Sequence, residues 1–250
     1  MDILITNDDG ITSGALYLLR QELEDLGRVF IVAPDRDQSA TSHSLTLYRP
    51  MRIERPEPDV YAVDGTPTDC VLIAAHGLLE RPPDLVVSGV NRGPNMGDDV
   101  FYSGTVAAAI EGAMQGVPAV AVSLASSGAG RVDFQYACQF TRRLVGTVLE
   151  KGLPAKSVLN VNVPQRRDDE IQGVRVTRLG KRTYQDTLIE RTDPRGRAYY
   201  WIGGDAPIWE PEEGSDFLAV DQGYVSVTPL HLDLTDNALR TTLESWPLRP

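Results

Sequence analysis

Residues 29–34, Val-Phe-Ile-Val-Ala-Pro, are apolar throughout, and they closely follow a segment whose leucines, Leu16, Leu19, Leu23 and Leu26, recur at helical spacing. A strand with no polar side must be covered on both faces, which parallel sheets achieve with crossover helices. The apolar stretch Ile3 to Ile5, ahead of the helix, supplies a partner strand. Residues 3–34 therefore predict a right-handed βαβ unit, with Ser13 as the helix N-cap and Gly27 as its stop.

The alternation continues down the chain. Residues 60–63 predict a short strand around Tyr61. In GTPTDC, Thr66 at the N-cap, Pro67 in the first helical position and Asp69 at N3 predict a helix running through Leu78 and Leu79. Proline needs no amide partner there, and the side-chain oxygens meet unpaired donors. DLVVSG predicts a buried strand, Ser103 to Gln115 a helix, PAVAVSLA a strand, residues 133–150 a helix and SVLNVNVP a further strand. Beyond residue 165 the pattern changes. RRDDE reads as a solvated turn, GVRVTRLG, RAYYWIGG and YVSVTPL have strand composition, and NALRTTLESW predicts a short final helix. The expected fold class is α/β: a Rossmann-like three-layer core over residues 1–165 with a mostly parallel sheet, and an extension over residues 166–250 that contains a β-hairpin and completes the fold.

Charge narrows the choice of ligand. Lys and Arg number 24 against 35 Asp and Glu, a formal charge of -11, which disfavours general attraction to a phosphate backbone. A small phosphorylated substrate remains compatible if a metal or backbone donors neutralise it locally. The two cysteines, Cys70 and Cys138, cannot build a secreted-type disulfide framework, and Cys70 reads as a buried thiol in an apolar helix. His43, His76 and His231 have no zinc-like spacing, and CxxC and HExxH are absent. The amino terminus lacks a basic leader and no apolar run reaches membrane-spanning length, so a cytoplasmic protein is expected.

Three polar loops, NDDG, PDRDQSATSHS and SGVNRGPNMGDD, each leave the carboxyl end of a strand expected to be parallel, and so converge on the edge where open α/β sheets bind ligands. The adjacent carboxylates Asp8 and Asp9 repel one another unless a cation sits beside them; an Asx-capped turn is the ordinary alternative for DDG. Magnesium or manganese suits such oxygen donors, and Ser39 and Asn91 can add a hydroxyl and an amide carbonyl without further charge. In YSGTVAAA, Ser103, Gly104 and Thr105 open a helix whose first amides can take a phosphate, or Ser103 is a plain N-cap. His43, four residues past Ser39, reaches either a substrate or a loop-stabilising partner. GxGxxG after the first strand and GxxxxGK[ST] are both absent, which argues against dinucleotide and P-loop sites.

In NDDG, APDRDQSATSHSLT, GTPTDC, SGVNRGPNMGDDVFYSGTVAAAIEG and the late GYVSVTPL, which run in order across both ends of the chain, the sequence resembles the SurE family, the stationary-phase survival protein family of metal-dependent 5'-nucleotidases. The resemblance implies a metal site at Asp8, Asp9, Ser39 and Asn91, and a phosphate pocket lined by Asn95 and the Ser103, Gly104, Thr105 turn. Many family members carry an extra residue, often proline, after NDDG, where this chain runs NDDGITSG; both carboxylates are retained.

The implied activity is divalent-metal-dependent hydrolysis of nucleoside 5'-monophosphates to nucleoside and inorganic phosphate, with one Mg2+ or Mn2+ per subunit. Asp8, Asp9, His43 and Asn95 form the expected catalytic set. Asp8 acts as nucleophile or, by preference, as the base that positions an attacking water, while His43, Asn95 or a second water serves the leaving oxygen. Two alternatives stand beside this: a broader phosphatase acting on 3'-nucleotides or short polyphosphate, and a non-catalytic metal-dependent nucleotide sensor. No nucleic-acid duplex and no membrane are expected as partners. The resemblance also implies a homodimer or homotetramer assembled through the extension, although RAYYWIGG is equally compatible with a monomeric lid.

Overall fold

The expected core strands all form. In the computed structural model, which describes residues 1–126, 132–183, 188–202 and 208–247, the first unit is β1 (Asp2–Thr6), α1 (Gly14–Leu23) and β2 (Arg28–Pro34). There follow β3 (Ile53–Glu57), β4 (Val60–Val63), α2 (Pro67–Ile73), β5 (Leu85–Arg92), α3 (Gly104–Met114), β6 (Ala119–Ala125), α4 (Gln135–Lys151) and β7 (Ser157–Pro164). The carboxyl-terminal part comprises β8 (Gly173–Val176), β9 (Arg182–Thr183), β10 (Leu188–Thr192), β11 (Ala198–Ile202), β12 (Ile208–Trp209), α5 (Asp216–Asp221), β13 (Tyr224–His231) and α6 (Asn237–Leu243).

The central sheet has nine strands in the order β3-β4-β2-β1-β5-β6-β7-β13-β8. From β4 to β7 every neighbouring pair is parallel, while β3 and β13 run antiparallel to β4 and β7. The extension thus contributes β13 and β8 to the same sheet. Its hairpin is separate: β10 pairs with β11 from Leu188 opposite Ile202 to Thr192 opposite Ala198. The glycines that close RAYYWIGG lie outside the described residues.

Side-chain parity along the strands makes two cores. Ile3 and Ile5 face α1 and α4 with Val29 and Ile31, whereas Leu4 faces α2 and α3 with Phe30 and Val32. Ile3, Leu4 and Ile5 are all fully buried, and each such side chain contributes roughly 1.5–3 kcal/mol of transfer free energy. This is the three-layer arrangement that the apolar strands require.

Local details differ from expectation in several places. The helix expected to run through Leu79 is α-helical only to Ile73 and continues as a π-helical turn over Ala74–Leu78. Helix α1 ends at Leu23, and Leu26 sits in the following turn, where its amide bonds the Leu23 carbonyl. Strand β3 is exposed along its whole length, so hydrophobic patterning could not reveal it. Helix α5 was not anticipated, being one short turn-and-a-half opened by the Ser215 cap. The Thr66 capping box forms as expected, with Asp69 also accepting the Thr46 amide at 3.0 Å.

Strands β2 and β4 lie to one side of β1, and β5 to β7 to the other, so a crevice opens between the carboxyl ends of β1 and β5. Its shape depends on Gly89, where φ is +133° and an added Cβ would lie 2.2 Å from the Val122 carbonyl oxygen. Only glycine accommodates this break, beyond which the register shifts and Asn91 comes opposite Ser123. Among the described residues no helix is long and apolar enough to cross a membrane.

Candidate metal and phosphate site

The NDDG turn is built by its asparagine. Asn7 donates to the Gly10 carbonyl and accepts the Gly10 amide, both at 3.1 Å, which closes the loop and leaves the next two carboxylates free to point elsewhere. Asp8 turns inward and is only 4% exposed. Its Oδ1 accepts the Thr105 hydroxyl at 2.5 Å and its Oδ2 the Thr105 amide at 3.1 Å, so it rests on the first turn of α3. Burial pushes the Asp8 carboxyl above the ordinary aspartate range, although both Thr105 bonds pull it back.

Asp9 is less enclosed and accepts the Arg92 amide at 3.3 Å. Burial first, and then the charge of Asp8, push it up to about 6. Two neighbouring carboxylates that both resist ionisation form a site short of positive charge. The neutral donors expected beside them are arranged to help. The Ser39 hydroxyl donates to Asp37 at 2.6 Å, which leaves its lone pairs available. Asn91 donates its amide nitrogen to the Gly93 carbonyl at 2.9 Å, which leaves its carbonyl oxygen available. Among the described residues no three His, Cys, Asp or Glu side chains gather as a metal-holding group. The donor set is instead two carboxylates with neutral oxygens, which fits a hard divalent cation.

Asp8, Ser39, Asn91, Asn95 and Ser103 line one cavity of about 760 Å³, with Tyr102 and Ile202 of the hairpin at its edge. Asn95 is nearly buried and held from beneath by residues that sequence reading did not single out. Asn162 accepts the Asn95 amide at 2.8 Å and donates to its carbonyl at 3.0 Å, Asn160 donates to the same carbonyl at 2.8 Å, and the Asn95 side-chain nitrogen donates to Ser123 at 2.8 Å. That last bond fixes the side-chain amide and uses one of its two N–H donors, which leaves the other for a phosphate oxygen. The signal lay in SVLNVNVP, where two asparagines alternate on one face of a buried strand and must find polar partners.

At the start of α3, Ser103 caps the helix by accepting the Val106 amide at 3.1 Å. The Thr105 amide and hydroxyl are occupied by Asp8, so the part of this turn that remains open towards a phosphate is centred on Ser103 and the Gly104 backbone. Gly104 packs directly against Asp8 and Thr41. His43 stands apart from this cavity. Its ring lies 2.8 Å from the Glu111 carboxylate and lines a neighbouring apolar cavity of about 820 Å³ with Val100, Val106 and Ile110. The His43 bond holds the Glu111 carboxyl below its ordinary range, and Gln115 donates to the same carboxylate at 2.7 Å. Asp8, Ser39, Asn91, Asn95 and Ser103 are thus gathered in the smaller, more polar cavity, and His43 is not.

Known proteins resemble this chain along nearly its whole length. The model of the family described as survival protein SurE matches residues 3–186. The chain is 50% identical over 248 residues to 5'-nucleotidase SurE of Geobacter sulfurreducens, covering 99% of this chain and 94% of that one. It is 52% identical over 246 residues to 5'-nucleotidase SurE of Geobacter metallireducens, covering 98% and 97%. The crystal structure of the SurE protein from Aquifex aeolicus superimposes with a TM-score of 0.86 at 43% identity, over 98% of each chain. With a family model spanning most of its length, and with relatives about half identical from end to end, the chain belongs to the SurE family.

Proposed function

We propose that this protein is a 5'-nucleotidase, hydrolysing nucleoside 5'-monophosphates to nucleoside and phosphate with one Mg2+ or Mn2+ per subunit. The observation that carries the reading is the convergence of Asp8, Ser39, Asn91, Asn95 and Ser103 on one cavity at the sheet's switch point, next to a second carboxylate, Asp9, pushed up to about 6. The relatives named as 5'-nucleotidases support the substrate class.

Asp8, Asp9, Ser39 and Asn91 would hold a divalent cation, which would supply positive charge to offset both carboxylates and the transferring phosphoryl group. The protein's own part is positioning. Thr105 orients the Asp8 carboxylate, and Asp8 in turn orders the attacking water as its base. Asn95, fixed by Asn162 and Ser123, presents an amide to the phosphate, and Ser103 with the Gly104 backbone completes the cradle at the helix start. The leaving oxygen, bonded to the phosphorus, is served from within the polar cavity by Asn95 or a second water; His43, tethered to Glu111, lines the adjacent cavity on the side toward which the nucleoside end would extend. Assembly into a dimer or tetramer through the extension belongs to the same reading.

The test is a metal-depleted preparation assayed for phosphate release against 5'-nucleotides, 3'-nucleotides, short polyphosphate and a generic phosphomonoester, with single divalent ions restored. Preferential release from 5'-nucleotides on adding Mg2+ or Mn2+ is expected. Tight nucleotide binding without phosphate release would make the protein a sensor, and equal rates on every ester a broad phosphatase.

A further inference from the structure

The loop between β5 and α3 carries Asn95 and ends in the Ser103 cap, yet much of its anchorage comes from the far end of the chain. Asp216, the first residue of α5, is fully buried. Its Oδ2 accepts the Gly97 amide at 2.9 Å, while its Oδ1 accepts the amides of Gly180 and Phe217, each at 2.8 Å. Gly97 and Gly180 press together so closely that a Cβ on Gly97 would lie 2.6 Å from the Gly180 carbonyl oxygen and 3.1 Å from the Trp209 ring. Trp209 stacks on Phe217 with ring centres 4.6 Å apart. Beside it, Asp99 of the same loop is ion-paired with Arg182, whose guanidinium sits 5.2 Å from the Trp209 ring centre.

A carboxylate is the side chain this junction needs. Three amides converge here, Gly97 on one oxygen and Gly180 and Phe217 on the other, and a carboxylate offers two acceptors and no donor. Asparagine has nearly the same shape but supplies one acceptor and turns N–H groups towards the other amide.

We propose that Asp216 is a positioning residue for the phosphate site: it locks Gly97, and with it the loop from Asn95 to Ser103, onto the carboxyl-terminal extension. The proposal rests on Asn95 and Ser103 being the phosphate contacts. Asn162 holds the loop at Asn95 from the sheet side, and Asp216 holds it two residues later from the extension side. Pinned at both points, the loop meets a phosphate without first being ordered, which lowers the cost of binding. Asp8, Asp9 and Ser39 sit on other loops and Asn91 lies in β5, ahead of the segment that Asp216 holds, so the latch acts first on phosphate.

Asp216→Asn tests this. Amide exchange is expected to accelerate at Gly97 and Gly180, and the Kd for inorganic phosphate, measured by calorimetry with Mn2+ present, to rise together with the KM for AMP by about 10-fold, the effect of one lost charge-assisted bond. The Mn2+ concentration for half-maximal activity should stay within about twofold, because the cation's ligands are untouched. An unchanged phosphate Kd in folded variant overturns the proposal, as does parallel weakening of Mn2+, which signals general loosening. If Asp216→Asn does not fold, Arg182→Gln opens the same junction through Asp99, with the same split expected and an unchanged phosphate Kd again overturning it. Wild-type protein that binds phosphate but releases none from AMP refutes the hydrolase reading alone, because phosphate affinity and Gly97 exchange still decide the latch. Wild-type protein that binds no phosphate refutes both.

Discussion

A Cβ placed on Gly104 would stand 2.9 Å from the Asp8 Cβ and 3.0 Å from its Oδ2, so the start of α3 and the buried carboxylate are in direct contact. Glycine is required here by geometry: no side chain fits between the helix and the NDDG turn. Gly104→Ala should therefore displace Asp8 while the helix itself, whose backbone there suits alanine, persists. Overpacking of this kind costs roughly 1–3 kcal/mol. Turnover is expected to fall at least about tenfold at unchanged helical circular dichroism, and full activity would show that Asp8 can shift without consequence.

Thr105→Val removes the hydroxyl donated to Asp8 at 2.5 Å and keeps the amide and the volume. That hydroxyl is the largest influence lowering the Asp8 carboxyl against its burial. Its loss should raise Asp8 further and move the acid limb of the pH–rate profile to higher pH. A profile identical to wild type would remove Thr105 from the catalytic argument.

The proposed metal shell predicts an order of effects. Asp8→Asn or Asp9→Asn removes an anionic ligand and should lower turnover by about 100-fold or more, whereas Ser39→Ala removes a neutral one and should cost less. Chelation should abolish activity, with Mg2+ or Mn2+ restoring it. Near-normal turnover by either Asp variant, or full activity after verified removal of divalent ions, contradicts the assignment.

Proton competition should govern cation binding. In the metal-free protein Asp9 is raised from 3.8 to about 6. The folded state thus favours the protonated carboxyl; that contribution to stability is fully present below about pH 4 and is lost as pH rises through about 6. A cation binds the ionised form and compensates for that loss, so the increase in melting temperature on adding Mn2+ should be small at pH 5 and large at pH 7.5. A shift independent of pH would mean that Asp9 is not a ligand.

The strand and helix alternation was legible because apolar patterning is local: Ile3 to Ile5 and residues 29–34 carry their burial in their own composition, and the Thr66 and Ser103 caps are written within three residues of each helix start. The polar loops could be assigned to one sheet edge for the same reason, since strand direction in a parallel sheet follows from the intervening helices. Exposed β3 escaped because it has no apolar face to betray it.

What the sequence by itself determined was the fold class, the family resemblance and the chemical types gathered at the edge: two carboxylates, a hydroxyl and amides. Tertiary structure alone decided which atoms remained available. It set Asp8 against Thr105, so that a donor expected to face phosphate is taken by the carboxylate; it placed His43 with Glu111 beside the neighbouring cavity; and it brought Asn162 and Asp216 beneath a loop far from them in the chain. Hydrogen bonds between such distant residues depend on how the sheet twists and the layers pack. No local pattern of residues encodes that, because each donor is satisfied equally well, as far as its neighbours in sequence can tell, by water.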